Sequence, residues 1–261
     1  MAGLNAPFDR AAVRRHRDRA AGRIGPVTPL LAELAERLVE RLDDTTRRFA
    51  SALDLGGRGV VAPLLAARGI AVVSADVSLP MLRRSPPLRV VADAEALPFG
   101  PAAFDLVVAS LSLHWVNDLP GALIQLRRAL RPGGLFLASL PVLGTLDTLR
   151  TALTEAEARL RGGVSPRVSP FPELRDCAGL LQRAGFALPV ADVEEVTLSY
   201  ASPLALLGEL RAAGEANALA SRDRRIPPRA LFAAAAAALA GPDGRAAARL
   251  RLAVLSGGAP E

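Results

Sequence analysis

The sequence has few of the residues on which several common classes of protein depend. It contains one cysteine, Cys177, which excludes an internal disulfide framework and a cysteine-rich zinc module. It contains no lysine, so all 32 basic residues are arginines, and aromatic residues make up only 4% of the chain. Nucleic-acid-binding proteins concentrate their basic charge and add stacking aromatic side chains, whereas these arginines are scattered. The net charge of +6 therefore does not indicate a nucleic-acid partner.

Long apolar segments are also missing. The most apolar stretch surrounds Ala233–Ala238 and is about a dozen residues long, whereas a membrane-spanning helix needs about 20. The opening residues lack the apolar core of a secretory signal. We therefore expect an intracellular protein with no integral membrane segment.

Short apolar runs alternate with helical patterns through the middle of the chain. The runs predict strands over 49–55, 70–73, 89–91, 104–109 and 135–140, and the patterns between them predict helices over 60–68 and 122–131. Strands that alternate with helices form a mainly parallel sheet covered on both faces. The fold class that this predicts is a three-layer α/β sandwich with a Rossmann-like sheet.

The two ends of the chain have a different predicted secondary structure, in which helices predominate. Leucines recur at three- and four-residue spacing from Leu30 to Leu42, which predicts a helix. An extended pair is expected around Phe186–Tyr200, followed by alanine-rich helices and a frayed end at 256–261. We accordingly divide the chain into a helical N-terminal extension (1–45), an α/β domain (46–201) and a helical C-terminal extension (202–261).

A glycine-rich loop follows the first predicted strand. It reads Asp54-Leu55-Gly56-Gly57-Arg58-Gly59, and the next two strands end in Asp76 and Asp93. Glycines let the backbone approach a ligand closely, and the N–H groups of the following helix point toward it. Asp76 could accept hydrogen bonds from two ribose hydroxyls, and Asp93 could meet an adenine amino group. The alternative is a tight turn with capping acids and no ligand.

Two nucleotide cofactors fit such a crevice, a nicotinamide dinucleotide and S-adenosylmethionine. The dinucleotide fingerprint G-x-G-x-x-G is not present in this loop. The carboxylate of Asp54 would oppose a pyrophosphate, whereas it could face the cationic amino-acid part of the methyl donor. The loop therefore favours S-adenosylmethionine.

Several motifs resemble those of the class I S-adenosylmethionine-dependent methyltransferases. They are Ala52–Gly59, Asp76, Val91–Phe99, Phe104–Val108 and Leu130–Gly134. The segment Ser110–Pro120, which contains His114-Trp115-Val116-Asn117, is more specific and is similar to the complex I assembly-factor group described as arginine hydroxylases. Three further sets of residues are similar to the same group, namely Phe8-Asp9-Arg10, Gly162–Pro166 with Ser169-Pro170-Phe171, and Arg183–Phe186. The match runs from about Asn5 to Asn217, and malonyl-acyl-carrier-protein O-methyltransferase is a near relative that usually lacks the histidine.

This resemblance implies a seven-stranded sheet that ends in an antiparallel hairpin, and it implies a set of site residues. The cofactor-binding residues would be Asp54, Gly56, Gly57, Gly59, Asp76, Val77, Asp93, Ala94 and Ser110. His114 and Trp115 follow the fourth strand, where a histidine could act as a general base and a tryptophan could form a wall for the substrate. A packing pair beneath the loop is the alternative for these two residues. With two histidines far apart in the sequence, we expect no metal site.

The glycine loop departs from the superfamily pattern D-x-G-x-G-x-G, because it is one residue short. By resemblance, the chain would bind S-adenosylmethionine and modify a protein partner, a subunit of the respiratory NADH dehydrogenase complex, by arginine hydroxylation. The alternatives are plain methyl transfer to a small molecule or acyl carrier, and a non-catalytic assembly chaperone with a degenerate cofactor site. Because the match begins near Asn5, we expect the bacterial cytoplasm rather than the mitochondrial matrix.

Overall fold

A computed structural model describes residues 6–261. Met1–Asn5, which belong to the predicted N-terminal helical extension, lie outside the described residues. The chain folds into a central sheet with helices on both faces, so the predicted three-layer α/β sandwich is confirmed.

Seven strands form one sheet, as the family resemblance implied. In chain order they are β1 (Ser51–Leu55), β2 (Ala71–Asp76), β3 (Arg89–Val91), β4 (Phe104–Ser110), β5 (Leu130–Pro141), β6 (Ala187–Tyr200) and β7 (Ala246–Gly258). Their order across the sheet is β3-β2-β1-β4-β5-β7-β6. The first five strands are parallel, and β7 pairs antiparallel with both β5 and β6.

Nine α-helices surround the sheet in the described residues. They are α1 (Arg10–Ala20), α2 (Thr28–Glu40), α3 (Val61–Ala67), α4 (Leu79–Leu82), α5 (Leu119–Ala129), α6 (Asp147–Arg161), α7 (Leu174–Arg183), α8 (Pro203–Ala212) and α9 (Arg229–Leu239). The first of them is capped by Asp9, whose side chain accepts a hydrogen bond from the backbone N–H of Ala12 at 2.9 Å.

Each face of the sheet has its own apolar core. On one face, Leu53 and Val107 pack among residues of α5 and α7. On the other face, Ala52 and Leu106 pack among residues of α2 and α3. Successive residues of a strand point to opposite faces, and a parallel sheet is buried on both, which explains why adjacent residues such as Leu106 and Val107 are both apolar.

The last strand corrects the prediction for the end of the chain. The helices predicted after residue 202 are found as α8 and α9, but residues 246–258 form β7 rather than a helix. The extended pair expected within Phe186–Tyr200 is the single strand β6, and its hairpin partner is β7. Gly258 is paired with Leu135, so the chain does not fray from 256 onward. Alanine favours helices, but here hydrogen bonds to strands on both sides determine the conformation.

The alanine run of the sequence lies in α9, which is 11 residues long. Among the described residues, 6–261, no helix has both the length and the apolar character that a membrane crossing requires.

Candidate functional site

The glycine loop follows a buried carboxyl group beside the predicted cofactor crevice. Asp54 lies in β1 and is 1% exposed, and its Oδ1 has no hydrogen-bond partner among the described residues. Burial, with a smaller contribution from the charge of Asp76, raises the pKa of Asp54 to about 7. Gly56 has a φ of +70°, and a Cβ there would lie 2.6 Å from the Cβ of Ser112. The loop thus needs glycine at this position and leaves an unpaired acceptor beside it.

The second acid of the crevice is paired with an arginine from the N-terminal helix. Asp76 ends β2, and the Nη2 of Arg17 lies 2.5 Å from its Oδ2. The same Nη2 donates a hydrogen bond to the carbonyl of Gly56 at 2.9 Å. Burial acts to lower the pKa of Arg17, but Asp76 and other nearby carboxylates outweigh it and the pKa is raised. A charged guanidinium therefore occupies the position that the sequence assigned to a ribose.

The third acid is paired in the same way. Asp93 follows β3, and the Nε of Arg10 donates a hydrogen bond to its Oδ2 at 3.2 Å. The Nη1 of Arg10 also donates to the carbonyl of Trp115 at 2.6 Å. Arg10 and Arg17 are about two turns apart on α1, so they point from the same face of that helix. Helix α1 thus covers the crevice and neutralises two of its three acids.

Little space remains between α1 and the sheet. The cleft beside Gly56, Asp76 and Arg17 has a volume of about 30 Å³. Ligand sites usually have volumes of about 300–1,000 Å³, so a nucleotide enters only if α1 moves away. The cleft is lined by Arg10, Val13, Arg17, Leu55, Gly56, Ala75, Asp76, Val77, Ala92, Ala94, Ser112, Trp115 and Val116.

Only some of the remaining predicted cofactor residues line this cleft. Val77 and Ala94 line it, whereas Ser110, the buried last residue of β4, does not. Gly57 is packed against the carboxyl group of Asp54, and Gly59 is packed against Arg84. Within residues 6–261 no group of three or more His, Cys, Asp and Glu side chains is placed to hold a metal ion.

The two predicted catalytic residues meet a carboxylate that the sequence analysis did not identify. His114 and Trp115 lie on a short 3₁₀-helix after β4. The Nε2 of His114 lies 2.9 Å from the Oε2 of Glu215, and the indole N–H of Trp115 donates to the same oxygen at 2.8 Å. The other carboxylate oxygen of Glu215 forms an ion pair with Arg58. Glu215 follows α8, and no local motif distinguishes it from the surrounding residues.

Arg58 is the second residue that the sequence analysis missed, although it lies within the glycine loop. Its φ is +54°, which is unusual for a residue with a side chain. The guanidinium also donates a hydrogen bond to the carbonyl of Leu111 at 2.9 Å. Burial, followed by the nearby charge of Arg17, lowers the pKa of Arg58 to about 10, so the side chain remains charged at neutral pH.

His114 and Arg58 keep the carboxyl group of Glu215 ionised. Burial acts to raise its pKa, but His114 and Arg58 act more strongly in the other direction and lower the pKa of Glu215 to about 2. In a neutral imidazole whose Nε2–H donates to this carboxylate, Nδ1 is an acceptor, and it has no partner among the described residues.

Trp115 packs into an apolar cluster as well as lining the crevice. Its ring meets that of Phe8 edge-on, with centroids 5.2 Å apart. We expect Trp115→Ala to lower the free energy of unfolding by about 3–5 kcal/mol, the usual loss when a large core side chain is truncated. Urea denaturation measures this loss. Trp115→Phe keeps a ring against Phe8 and should retain most of the stability, while a loss below about 1 kcal/mol for Trp115→Ala would show that the indole is not packed.

The chain is similar in sequence and in fold to several known proteins. Residues 53–138 match a family model described as a methyltransferase domain. The chain is 40% identical over 238 residues to the human mitochondrial arginine-hydroxylase NDUFAF5, covering 88% of this chain and 69% of that protein. It is 36% identical over 247 residues to the malonyl-[acyl-carrier protein] O-methyltransferase of Xylella fastidiosa, covering 90% and 82%. The YcgJ protein of Bacillus subtilis has a similar fold, with a TM-score of 0.61, 13% identity and coverage of 87% and 99%.

Proposed function

The chain belongs to the class I S-adenosylmethionine-dependent methyltransferases, and from this membership we propose that it binds S-adenosylmethionine in the crevice and modifies an acceptor beside His114. The observation that carries the proposal is the buried carboxyl group of Asp54, which forms no ion pair among the described residues and whose pKa burial raises to about 7. A buried carboxylate without a counter-ion is unfavourable and is stabilised by a cationic ligand. The amino-acid part of the methyl donor carries such a cation.

The residues around Asp54 fit the other parts of the donor. Asp76 would accept hydrogen bonds from the ribose, and Asp93 would face the adenine amino group. The backbone of Gly56, Gly57 and Gly59 would lie against the amino-acid part, and Val77 and Ala94, which line the cleft, would adjoin the adenosine. When bound, the donor supplies a methyl group on a positively charged sulfur, which is open to attack by a nucleophile.

The chain's own contribution to the reaction would come from His114. Its Nε2 lies 2.9 Å from Glu215, which orients the ring, and Nδ1, a buried atom with no partner among the described residues, would remove a proton from the acceptor once the crevice opens. Trp115 lines both the cofactor cleft and a second cavity, and its ring would separate the donor from the rest of the acceptor. Methyl transfer depends mainly on alignment, so few further catalytic groups are required.

Binding of the donor would require α1 to give up its contacts with the two acids. Arg17 and Arg10 hold Asp76 and Asp93, and the cleft of about 30 Å³ has no room for a nucleotide. The ligand must therefore compete with two ion pairs. The apparent affinity equals the affinity of the open form multiplied by the fraction of molecules in which the crevice is open.

Calorimetric titration with S-adenosylmethionine tests this proposal. We expect Arg17→Met to bind the donor at least about tenfold more tightly than the unaltered protein, which corresponds to about 1.4 kcal/mol, because the competing guanidinium is gone. Asp54→Asn should weaken binding by about 1–3 kcal/mol, because it removes the partner of the donor's cation. As the matched control, His114→Gln should bind the donor normally and fail to modify an acceptor.

Two outcomes would contradict this scheme. If Arg17→Met binds more weakly, Arg17 helps to hold the donor and does not exclude it. If neither the unaltered protein nor Arg17→Met releases binding heat, the closed crevice favours the non-catalytic assembly chaperone instead.

A second candidate is modification of a protein arginine during assembly of the respiratory NADH dehydrogenase complex. The observation that favours it is the 40% identity to the human arginine-hydroxylase, which extends over 88% of this chain. Hydroxylation needs an oxidant in addition to the groups described above. Mass spectrometry of the modified acceptor separates the two candidates, because methyl transfer adds the mass of a methylene group and hydroxylation adds that of an oxygen atom.

A further inference from the structure

A second cavity lies beyond Trp115, which lines both this cavity and the cofactor cleft. Its volume is about 320 Å³, within the usual range for small-molecule sites. Most of the side chains that enclose it are apolar, and they include Leu31, Leu149, Leu198, Leu206, Phe232 and Leu250. Protein interiors rarely contain spaces of this size, and an apolar cavity of about 150 Å³ already stays free of water and binds apolar molecules. The space is therefore suited to an apolar ligand.

Most of the charged side chains in the lining already have partners. The charged residues that line the cavity are Arg58, Arg167, Glu209, Arg211 and Glu215. Arg58 forms an ion pair with Glu215, and Arg167 forms one with Glu157 at 2.6 Å. Glu209 is partly exposed and lies beside the hydroxyl of Tyr200, whose pKa is raised by burial and by this carboxylate. A ligand therefore gains little from an ionic group placed against the paired side chains.

The neutral polar groups of the lining are engaged as well. The hydroxyl of Thr145 donates to a backbone carbonyl at 2.7 Å, and the side-chain amide of Asn217 donates to another at 2.9 Å. Nδ1 of His114 and Nε of Arg58 have no partner among the described residues, but both atoms are buried and have no accessible surface. The cavity therefore favours hydrocarbon over any particular polar group.

The length of the cavity follows from β7. Ala248, Leu250 and Leu252 are alternate residues of this strand, so they share one face of the sheet, and all three line the cavity. Residues of a strand are about 3.3 Å apart, so the cavity extends about 13 Å along β7. An extended chain advances about 1.1–1.2 Å per bond, and about 12 carbon atoms therefore cover this length. A volume of about 320 Å³ spread over this length is narrow, which favours one unbranched chain over a compact ring system.

The mouth of the cavity lies at the end of α8. Among the described residues that line the cavity, Arg211 alone is exposed. A polar or charged head group placed beside Arg211 stays in water, where an ion pair contributes little to binding. The head of a ligand can therefore remain outside while its chain lies within.

We propose that this cavity binds the unbranched hydrocarbon chain of a single-chain amphiphile, about 12 carbon atoms long, whose polar head remains in water beside Arg211. This binding goes beyond the proposed function, because it needs neither the methyl donor nor the reaction. A free fatty acid and a lysolipid both supply such a chain, so the feature that the cavity recognises is the chain.

Calorimetric titration with fatty acids of increasing length, without the methyl donor and below the concentrations at which they form micelles, tests this proposal. From octanoate to dodecanoate the affinity should rise about fourfold for each added methylene group, which corresponds to about 0.8 kcal/mol. Beyond dodecanoate the affinity should level off, because further methylene groups lie outside the cavity. Dodecan-1-ol should bind within about tenfold of dodecanoate, because the head stays in water.

A lysolipid distinguishes the two sources of such a chain. Lysophosphatidylcholine with a dodecanoyl chain carries the same hydrocarbon on a bulky head. Its binding would indicate a lipid as the source of the chain, and its exclusion beside normal binding of dodecanoate would indicate a free acid.

A pair of neighbouring variants on β7 separates the cavity from the surface. Ala248 is 1% exposed and lines the cavity, so Ala248→Phe should weaken binding of dodecanoate at least about tenfold by filling part of the space. Ala247 is exposed on the opposite face of the strand, so Ala247→Phe should bind normally. Leu207→Phe fills the same space from α8 and decides the matter if Ala248→Phe does not fold. Melting temperatures establish which variants are folded.

Several results would overturn the inference. They are the absence of dodecanoate binding to the unaltered protein, an affinity that does not depend on chain length, an affinity that still rises from dodecanoate to hexadecanoate, and normal binding by the folded cavity-filling variants. A difference of more than about tenfold between dodecanoate and dodecan-1-ol would mean that the head is buried, which also contradicts it. Because no donor is present, these results do not depend on whether S-adenosylmethionine binds. A protein that binds the donor but not dodecanoate retains the proposed function and loses this site.

Discussion

Replacing Asp76 with alanine should lower the free energy of unfolding by about 3–5 kcal/mol. The substitution leaves the guanidinium of Arg17 buried without its counter-ion, and removal of one partner from a buried ion pair has this effect. The two side chains are 6% and 4% exposed, and their atoms approach to 2.5 Å. Urea denaturation of the two proteins at neutral pH measures the difference.

An exposed ion pair of the same chain provides the control. Arg68 and Asp43 also form two hydrogen bonds, but the side chain of Asp43 is 63% exposed. We expect Asp43→Ala to change stability by less than about 1 kcal/mol, as is usual for surface pairs. The double substitution Arg17→Met with Asp76→Ala should recover part of the loss, because it removes both charges. If Asp76→Ala is no more harmful than Asp43→Ala, Arg17 leaves the crevice readily and α1 is not held there by this pair.

Replacing Glu215 with glutamine should also be strongly destabilising, by about 3 kcal/mol. It leaves the buried guanidinium of Arg58 without a counter-ion, and the amide N–H₂ of glutamine would face groups that are themselves donors. We expect the lower end of the range for buried pairs because the side chain of Glu215 is 22% exposed. Thermal or urea unfolding at neutral pH measures this loss.

The same substitution should change how stability depends on pH. The folded protein lowers the pKa of Glu215 from 4.5 to about 2. The stabilisation from this carboxylate is therefore fully present above about pH 4.5 and is lost as the pH falls toward 2. The difference in stability between the unaltered protein and Glu215→Gln should shrink between about pH 5 and about pH 3. A difference that stays constant over this interval would mean that Glu215 is not held in its ionised form by His114 and Arg58.

The crevice and its acids could be predicted from the sequence because they depend on local patterns. Short apolar runs that end in Asp54, Asp76 and Asp93 indicate parallel strands, and the carboxyl ends of adjacent parallel strands meet at one edge of a sheet. The position of His114 after the fourth strand follows from the same rule. These features require only the order of elements along the chain, and the structure contains them.

The strand β7 could not be predicted in this way. Its sequence is rich in alanine and follows a helix of alanines, so local preference favours a helix. The segment is extended because it lies between β5 and β6 and pairs with both, and β5 is more than a hundred residues earlier in the chain. Pairing over that separation has no local signature, since it depends on where the rest of the sheet has already formed.

The sequence by itself determined the parallel sheet, the glycine loop and the three acids at its edge, because apolar periodicity and glycine placement act over a few residues. Only the tertiary structure decided which side chains pair with those acids. Arg10 and Arg17 reach them from α1, and Glu215 reaches His114 from beyond α8, through packing between segments that are distant in the chain. In the sequence these residues are ordinary charged positions, and it is burial against a partner that gives each of them its role.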